Sequence, residues 1–369
     1  MHDHRVESRL TGQPTHREGN ARQAGIDRLL LANLLEREID TALDALNGTA
    51  PLMLTMARYH LGMTDSSGDV VNPETRQTVQ GKRIRPFLAM LAAEAVGGQP
   101  EAAAPVAAAI ELLHNFTLIH DDIQDRSPNR RHRPTVWRVW GNAQAINAGD
   151  ALFAASQLAL LRTPTPADTT LRLSEAFNRM TISIVRGQVH DLEHEGRADV
   201  TPGDYLTMIH GKTAAIVRFA AWAGAIVGGA SPEVAEKFAD TGDAIGMGFQ
   251  LRDDMLGIWS PVEETGKDEA DDIRRRKQSL PILMLRERAS DDDIARLNAL
   301  FSQEEIDPDG IDEVLAMLDH YQVKQDMQKQ VEDAHARAMT ALQAATVGTN
   351  NPAIDELKDL ITRLGSRTS

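Results

Sequence analysis

The chain has no cysteine, and only 4% of its residues are aromatic. The first absence excludes disulfides, zinc–thiolate centres and thiol catalysis. The second, beside plentiful Ala, Leu, Met and Ile, suits packed helices better than sheets. Alternating Val/Ile/Thr runs are missing, and so is an Asn-Gly hairpin between apolar strands. No apolar run reaches the roughly 20 residues of a membrane span. The N-terminal stretch lacks a hydrophobic signal core. Positive charge is scarce as well: 39 Lys and Arg stand against 54 Asp and Glu, a net charge of −15. A general nucleic-acid surface wants the opposite sign, so the local arginine clusters point to a small anionic ligand. The expectation is a soluble, cytoplasmic, helical protein.

What is present organises as one domain. Residues 1–24 are polar and read as a mobile tail, with residues 25–369 as a single domain. Leu29, Leu30, Leu34, Ile39, Leu43 and Leu46 recur at helical spacing, and Asn47-Gly48 closes that helix. A second helix is expected from about Pro51 to Leu61, and a long polar loop from Gly62 to Gln80. Further helices are expected from Phe87, over Pro100–Ile119, Pro134–Leu161, Leu171–Glu195 and Thr201–Ile209. An apolar helix opens at His210-Gly211-Lys212-Thr213, another covers Pro232–Ile258, and more follow Pro281. The architecture implied is an all-α, single-domain helical bundle around a central cavity.

The stretch Leu112–Arg131, LLHNFTLIHDDIQDRSPNRR, concentrates the chemistry. Its apolar helical run ends in Asp121, Asp122 and Asp125, and Arg130-Arg131 follow. Asp121 and Asp125 are i and i+4, so they share one helix face. Like charges at that spacing, partly buried, cost free energy unless a cation sits between them. A hard divalent cation carrying phosphate oxygens meets that need, and arginines meet the phosphate. A solvated acidic helix end is the rival reading of the same residues. A second acidic pair, Asp253-Asp254, follows Gln250 and Arg252. Lys82, Arg83 and Arg85 crowd a helix start, where the dipole already favours an anion. A solvated basic turn would account for them equally well on their own.

Taken together, GKRIRP (81–86), the stretch above, RGQVHD (186–191), GKT (211–213), GFQLRDD (248–254) and GK…DDIRRRKQSLP (266–281) resemble the trans-isoprenyl diphosphate synthases, the polyprenyl synthetase family. The likeness is strongest to its geranylgeranyl-forming members. The motifs occur in the family's order and cover most of residues 80–281. The resemblance implies an isoprenoid-synthase-type bundle, several Mg²⁺ ions and a homodimer. It also implies head-to-tail condensation of isopentenyl diphosphate with an allylic prenyl diphosphate. It places the metals on Asp121, Asp125 and Asp253, with Asp122 and Asp254 supporting them. Arg130, Lys212 and Lys267 would neutralise the leaving diphosphate. Lys82, Arg85, His114 and Arg131 would hold isopentenyl diphosphate. Thr213 and Gln250 would present oxygen dipoles near the allylic cation, and Lys277 would help close a charged loop. Phe116, five residues before Asp121, would floor the product pocket, with the smaller Thr117 leaving room beside it. The competing readings are a terpene cyclase on the same fold, a regulatory subunit of a heteromeric synthase, and a metal phosphohydrolase using His120-Asp121.

Three departures stand out. Gly257 occupies a position where many members carry a final Asp, so the Asp121 side is expected to be the richer metal site. His132 replaces the glycine that usually follows the arginine pair. The charged loop carries one extra residue near Ala270–Asp272, which leaves open whether Asp271 or Asp272 faces the site.

Overall fold

A computed structural model describes residues 26–195, 197, 199–259 and 270–366. The expected tail at 1–24 and Lys267 lie outside the described residues. Helices α1 (Arg28–Leu43), α2 (Pro51–His60), α3 (Pro73–Val79), α4 (Ile84–Ala95) and α5 (Pro100–Gln124) lead to a two-stranded antiparallel ribbon, β1 (Asn129–Arg130) and β2 (Arg133–Pro134). Then come α6 (Val136–Trp140), α7 (Asn142–Leu161), α8 (Ala167–His194), α9 (Pro202–Ile209), α10 (Ala215–Val227) and α11 (Pro232–Trp259). The chain continues through α12 (Asp271–Arg274), α13 (Leu280–Arg288), α14 (Asp291–Phe301), α15 (Pro308–His320), α16 (Val323–Ala345) and α17 (Pro352–Ser366).

Two apolar cores hold the bundle. One joins α1, α4, α5, α7, α8 and α10 around Leu35, Leu88, Ile110, Leu112 and Phe177. The other joins α9, α11 and the C-terminal helices around Leu283, Leu297, Val314 and Met327. Helix α8 shows how the pattern places a face. Leu173, Phe177, Met180, Ile184 and Gly187 recur at three and four residues and are buried, as an amphipathic helix requires. Helix α5 corrects one expectation. By length and composition it is apolar enough to cross a membrane, yet most of it is buried among the other helices. Its alanines let neighbours approach closely, and its last turn carries the acidic motif.

Other differences have local causes. The expected loop after Gly62 contains α3, because Asn72 accepts the Thr75 N–H and Pro73 opens the first turn, a helix-start signal hidden in a polar run. The expected helix from Pro134 to Leu161 is broken at Gly141 into α6 and α7. The segment His210–Ala214 is a π-helical turn fused between α9 and α10, a form often found at functional sites.

Arg131 and His132 have φ of 49° and 61° and lie between the paired residues Arg130 and Arg133. A two-residue hairpin of this kind needs positive φ at both central positions. The family glycine at the second position therefore has a conformational reason, and His132 adopts the same strained region. His132→Gly is expected to stabilise the fold by about 0.5–1 kcal/mol, read as a higher urea midpoint with an unchanged slope.

Candidate active site

The site begins where two backbones touch. A Cβ at Gly187 on α8 would overlap the backbone of Lys212, and a Cβ at Gly211 would come within 2.8 Å of the Ser183 carbonyl oxygen. These glycines let α8 and the π turn approach until Lys212 Nζ donates to Asp191 Oδ2 at 2.6 Å. Asp121 and Asp125, at the end of α5, share this neighbourhood. Burial pushes Asp121 up to about 6 although Lys212 opposes the shift, and Asp125 adds to it. Burial also raises Asp125; Lys212 counteracts, and Asp191 raises it further. Gln188 donates to Gln124 at 2.9 Å, which ties α8 to the turn before Asp125.

Asp122 faces elsewhere. Its Oδ1 accepts from Arg130 Nε at 2.8 Å and forms an ion pair with Nη2 at 2.8 Å. The structure thus places it as the partner of an arginine, one residue away from the acidic face.

The second acidic motif is split in the same way. Asp253 is exposed. Asp254 is fully buried and accepts from Gln250 at 3.1 Å and from Tyr205. Burial pushes Asp254 up to about 6, against the nearby Lys277 ammonium. Thr213 donates to Gln250 Oε1 at 3.0 Å, so the GKT and GFQLRDD motifs form one hydrogen-bonded chain. Tyr205 has no motif around it, and sequence reasoning missed it.

The charged loop can be assigned from its packing. Asp271 pairs with Arg275 at 2.9 Å. Asp272 lies 3.8 Å from Lys277 Nζ and is the residue turned inward. A Cβ on Gly257 would stand 2.6 Å from Asp272 Cγ. The space left by the missing Asp side chain is filled by another carboxyl from α12. Burial alone would lower Lys277, but Asp272, Asp254, Asp253 and Asp191 together hold its ammonium above its ordinary value. Both acidic motifs therefore act on one field. Asp125, Asp191 and Lys277 also line a common cavity of about 730 Å³.

The donors present here are carboxylate oxygens, which suit hard divalent cations. Among the described residues, no three Asp, Glu or His side chains stand together as a closed ligand set. That arrangement fits an ion such as Mg²⁺, which keeps waters and takes its remaining ligands from phosphate.

A basic group lies on the other side. Arg85 Nη1 is 3.2 Å from His114 Nε2. Arg131 donates to the Val79 carbonyl at 3.1 Å, with its guanidinium against Gly81. Burial first, then Arg85, Arg131 and Arg130, holds His114 well below its ordinary value. It is a neutral imidazole among arginines. Lys82 lines a neighbouring cleft of about 270 Å³ with Arg28, Ile84 and Glu356. Arg83 and Arg76 both pair with Glu36 and are structural. Phe116 packs on Phe153 at 5.3 Å and on His120 at 4.8 Å between centroids, and Thr117 donates to the His114 carbonyl at 2.8 Å.

The sequence pattern described as polyprenyl synthetase matches residues 71–318. A (2E,6E)-farnesyl diphosphate synthase of Mycobacterium tuberculosis is 44% identical over 233 residues, covering 63% of each chain. A geranylgeranyl diphosphate synthase of Methanosarcina mazei is 42% identical over 203 residues, 55% of this chain and 63% of the relative. The matches thus span somewhat less than two thirds of these curated relatives' length. Over a longer stretch, the polyprenyl synthetase structure from Streptomyces coelicolor superposes with a TM-score of 0.80. It is 33% identical, with 91% of this chain and 97% of the other covered.

Because their carboxyls hold protons up to about 6 in the fold against 3.8 ordinarily, Asp121 and Asp254 bind more protons folded than unfolded. Their contribution is therefore full below about 3.8 and is lost as pH rises through about 6. Asp121→Asn removes the Asp121 part of this loss. In metal-free buffer at pH 7 it should raise the unfolding free energy by on the order of 1 kcal/mol, read as a higher thermal midpoint, and the gain should vanish near pH 4. Added Mg²⁺ should stabilise the parent protein and leave the variant nearly unchanged.

Proposed function

As a member of the polyprenyl synthetase family, this chain is, we propose, a short-chain trans-isoprenyl diphosphate synthase, a cytoplasmic prenyltransferase with geranylgeranyl diphosphate as its product. The observation that carries this reading is the pairing of two unlike anion sites at the end of α5. One is acidic and fits metal-borne diphosphate. The other, Arg85, His114 and Arg131, is basic and fits a diphosphate directly.

Asp121, Asp125 and Asp253 would hold Mg²⁺, with the buried Asp254 fixing Gln250; the ions would neutralise the allylic diphosphate and favour its departure. Lys212, oriented by Asp191, and Arg130, oriented by Asp122, add fixed positive charge for the same leaving group, and Lys267 is assigned the same role. Lys82 joins Arg85, His114 and Arg131 around isopentenyl diphosphate. The allylic C–O bond breaks and its electron pair leaves with diphosphate. The isopentenyl double bond then attacks the allylic carbon, and a C–C bond forms. A proton from the adjacent carbon passes to the released diphosphate. Thr213 and Gln250 direct oxygen dipoles toward the developing cation. Lys277 excludes water by drawing the charged loop over the cavity.

Phe116, braced by Phe153 and His120, closes the product pocket. Purified protein with Mg²⁺, isopentenyl diphosphate and each allylic primer should yield a twenty-carbon diphosphate only when both substrates are present. Farnesyl as the end product would overturn the chain-length assignment alone. Product from an allylic diphosphate by itself would indicate a cyclase. Phe116→Ala should shift the products to longer chains, and unchanged length would remove Phe116 from the floor.

A homodimer completes the reading. Leu171, Ile182, Val185 and Val189 on α8 are about half exposed or more, and Leu158 and Leu161 on α7 are similar. A stripe of this kind on one helix marks an association face. Val185→Asp should convert the dimer to monomers in sedimentation equilibrium.

A further inference from the structure

We propose that His60 is a positioning residue that acts on Arg130 through a buried water shared with Asp122. Two polar atoms carry the inference. His60 Nε2 and Asp122 Oδ2 are both buried, and neither has a protein hydrogen-bond partner. Such atoms are costly to leave unmade. Both residues line one small cavity of about 30 Å³, together with Tyr59, Arg130, Arg131 and Thr135. A water needs about 10–15 Å³ and at least two polar partners. The cavity therefore has the size for one or two waters, and it has the partners.

The geometry around it is fixed. Tyr59 Oη donates to the Pro134 carbonyl at 2.7 Å. The Arg133 guanidinium lies 4.0 Å over the Tyr59 ring and donates to the Thr64 carbonyl at 2.8 Å. The end of α2 is thus pinned to the arginine hairpin, and His60 is held at the cavity. Burial, then Arg130, Arg131 and Arg133, holds His60 at about 3. It is neutral at working pH, so one ring nitrogen is a donor and the other an acceptor. A carboxylate oxygen only accepts, so the water donates to Asp122 Oδ2. The other oxygen of Asp122 accepts from Arg130 Nε and pairs with its Nη2. The water fixes the carboxylate plane, and that plane fixes the guanidinium. His60 touches no reacting atom in this arrangement.

The inference rests on the role proposed above for Arg130, and the test separates the two. The variants are His60→Leu, His60→Gln, Asp122→Asn, the His60→Leu/Asp122→Asn pair, and Arg130→Gln. Each is assayed for kcat and for the KM of both substrates, and each is melted. His60→Leu should lower kcat/KM for the allylic diphosphate by about tenfold and leave the KM for isopentenyl diphosphate within about twofold. His60→Gln, whose amide can hold the water, should recover most of the loss. The pair should cost little more than Asp122→Asn alone, because both remove one link. Wild-type kinetics in His60→Leu, or full additivity in the pair, would overturn the proposal. Intact allylic parameters in Arg130→Gln would instead overturn the role of Arg130. The His60–Asp122 link would then be decided by the melts: non-additive midpoint shifts support it and additive shifts reject it. If His60→Leu does not fold, a second apolar variant, His60→Val, and its pair with Asp122→Asn are read in its place. Non-additivity there supports the shared water, and additivity rejects it.

Discussion

Asp121, Asp125 and Asp191 share one electrostatic neighbourhood with Lys212, with Arg130 as a further cation, and the arrangement of the site follows from that imbalance of charge. Unit charges about 4 Å apart interact by about 4 kcal/mol at an effective dielectric near 20. Burial is the first reason that Asp121 and Asp125 retain protons above their ordinary range, and the neighbouring carboxylates add to it against Lys212 and Arg130. The imbalance is built by close packing rather than by chance. It requires α8 and the π turn to meet at Gly187 and Gly211. A larger side chain at either glycine would push the two backbones apart and release Lys212 from Asp191. The site is acidic because the backbones can touch.

The hairpin beyond α5 has the opposite problem. Arg130, Arg131 and Arg133 gather with Arg85, His114 and His60, and both histidines are driven neutral. Asp122 divides the two regions. It sits one residue from Asp121, about 100° around the helix, and binds Arg130 instead of joining the acidic face. A single helical turn therefore presents excess negative charge on one side and excess positive charge on the other. Two diphosphates bound by such a turn would be told apart by what each must bring. On the proposed function, the acidic face would take an anion that arrives with cations, and the basic face would take one without.

Much of this was legible in the sequence because helical periodicity fixes faces. The i, i+4 pair Asp121/Asp125, the buried stripe of α8 and most helix positions follow from spacing alone. The motifs also named the residues that meet: RGQVHD and GKT, Thr213 and Gln250. What stayed hidden depends on contacts between distant segments. The asparagine cap of α3 was lost in a polar run. The hairpin at Arg131-His132 carries no hairpin composition, since its two central residues are an arginine and a histidine at positive φ. Tyr205 and His60 bear no motif. Lys82 belongs to a basic motif, and no spacing announced that it would line a cleft with Arg28 and Glu356.

Gly257 shows why position in a motif is a weaker guide than position in space. Read along the chain, it is a missing carboxylate, and the second acidic site looks poorer for it. In the fold, the Asp272 carboxyl is packed against that glycine and faces Lys277. Negative charge is thus supplied at the same place from α12. An Asp at 257 would meet Asp272 within van der Waals contact, and two acids there would repel. The loop delivers a carboxyl inward, and the glycine makes room for it. The charge at the second acidic motif is thus set by what the fold places beside Gly257, the Asp272 carboxyl, as well as by the motif's own register.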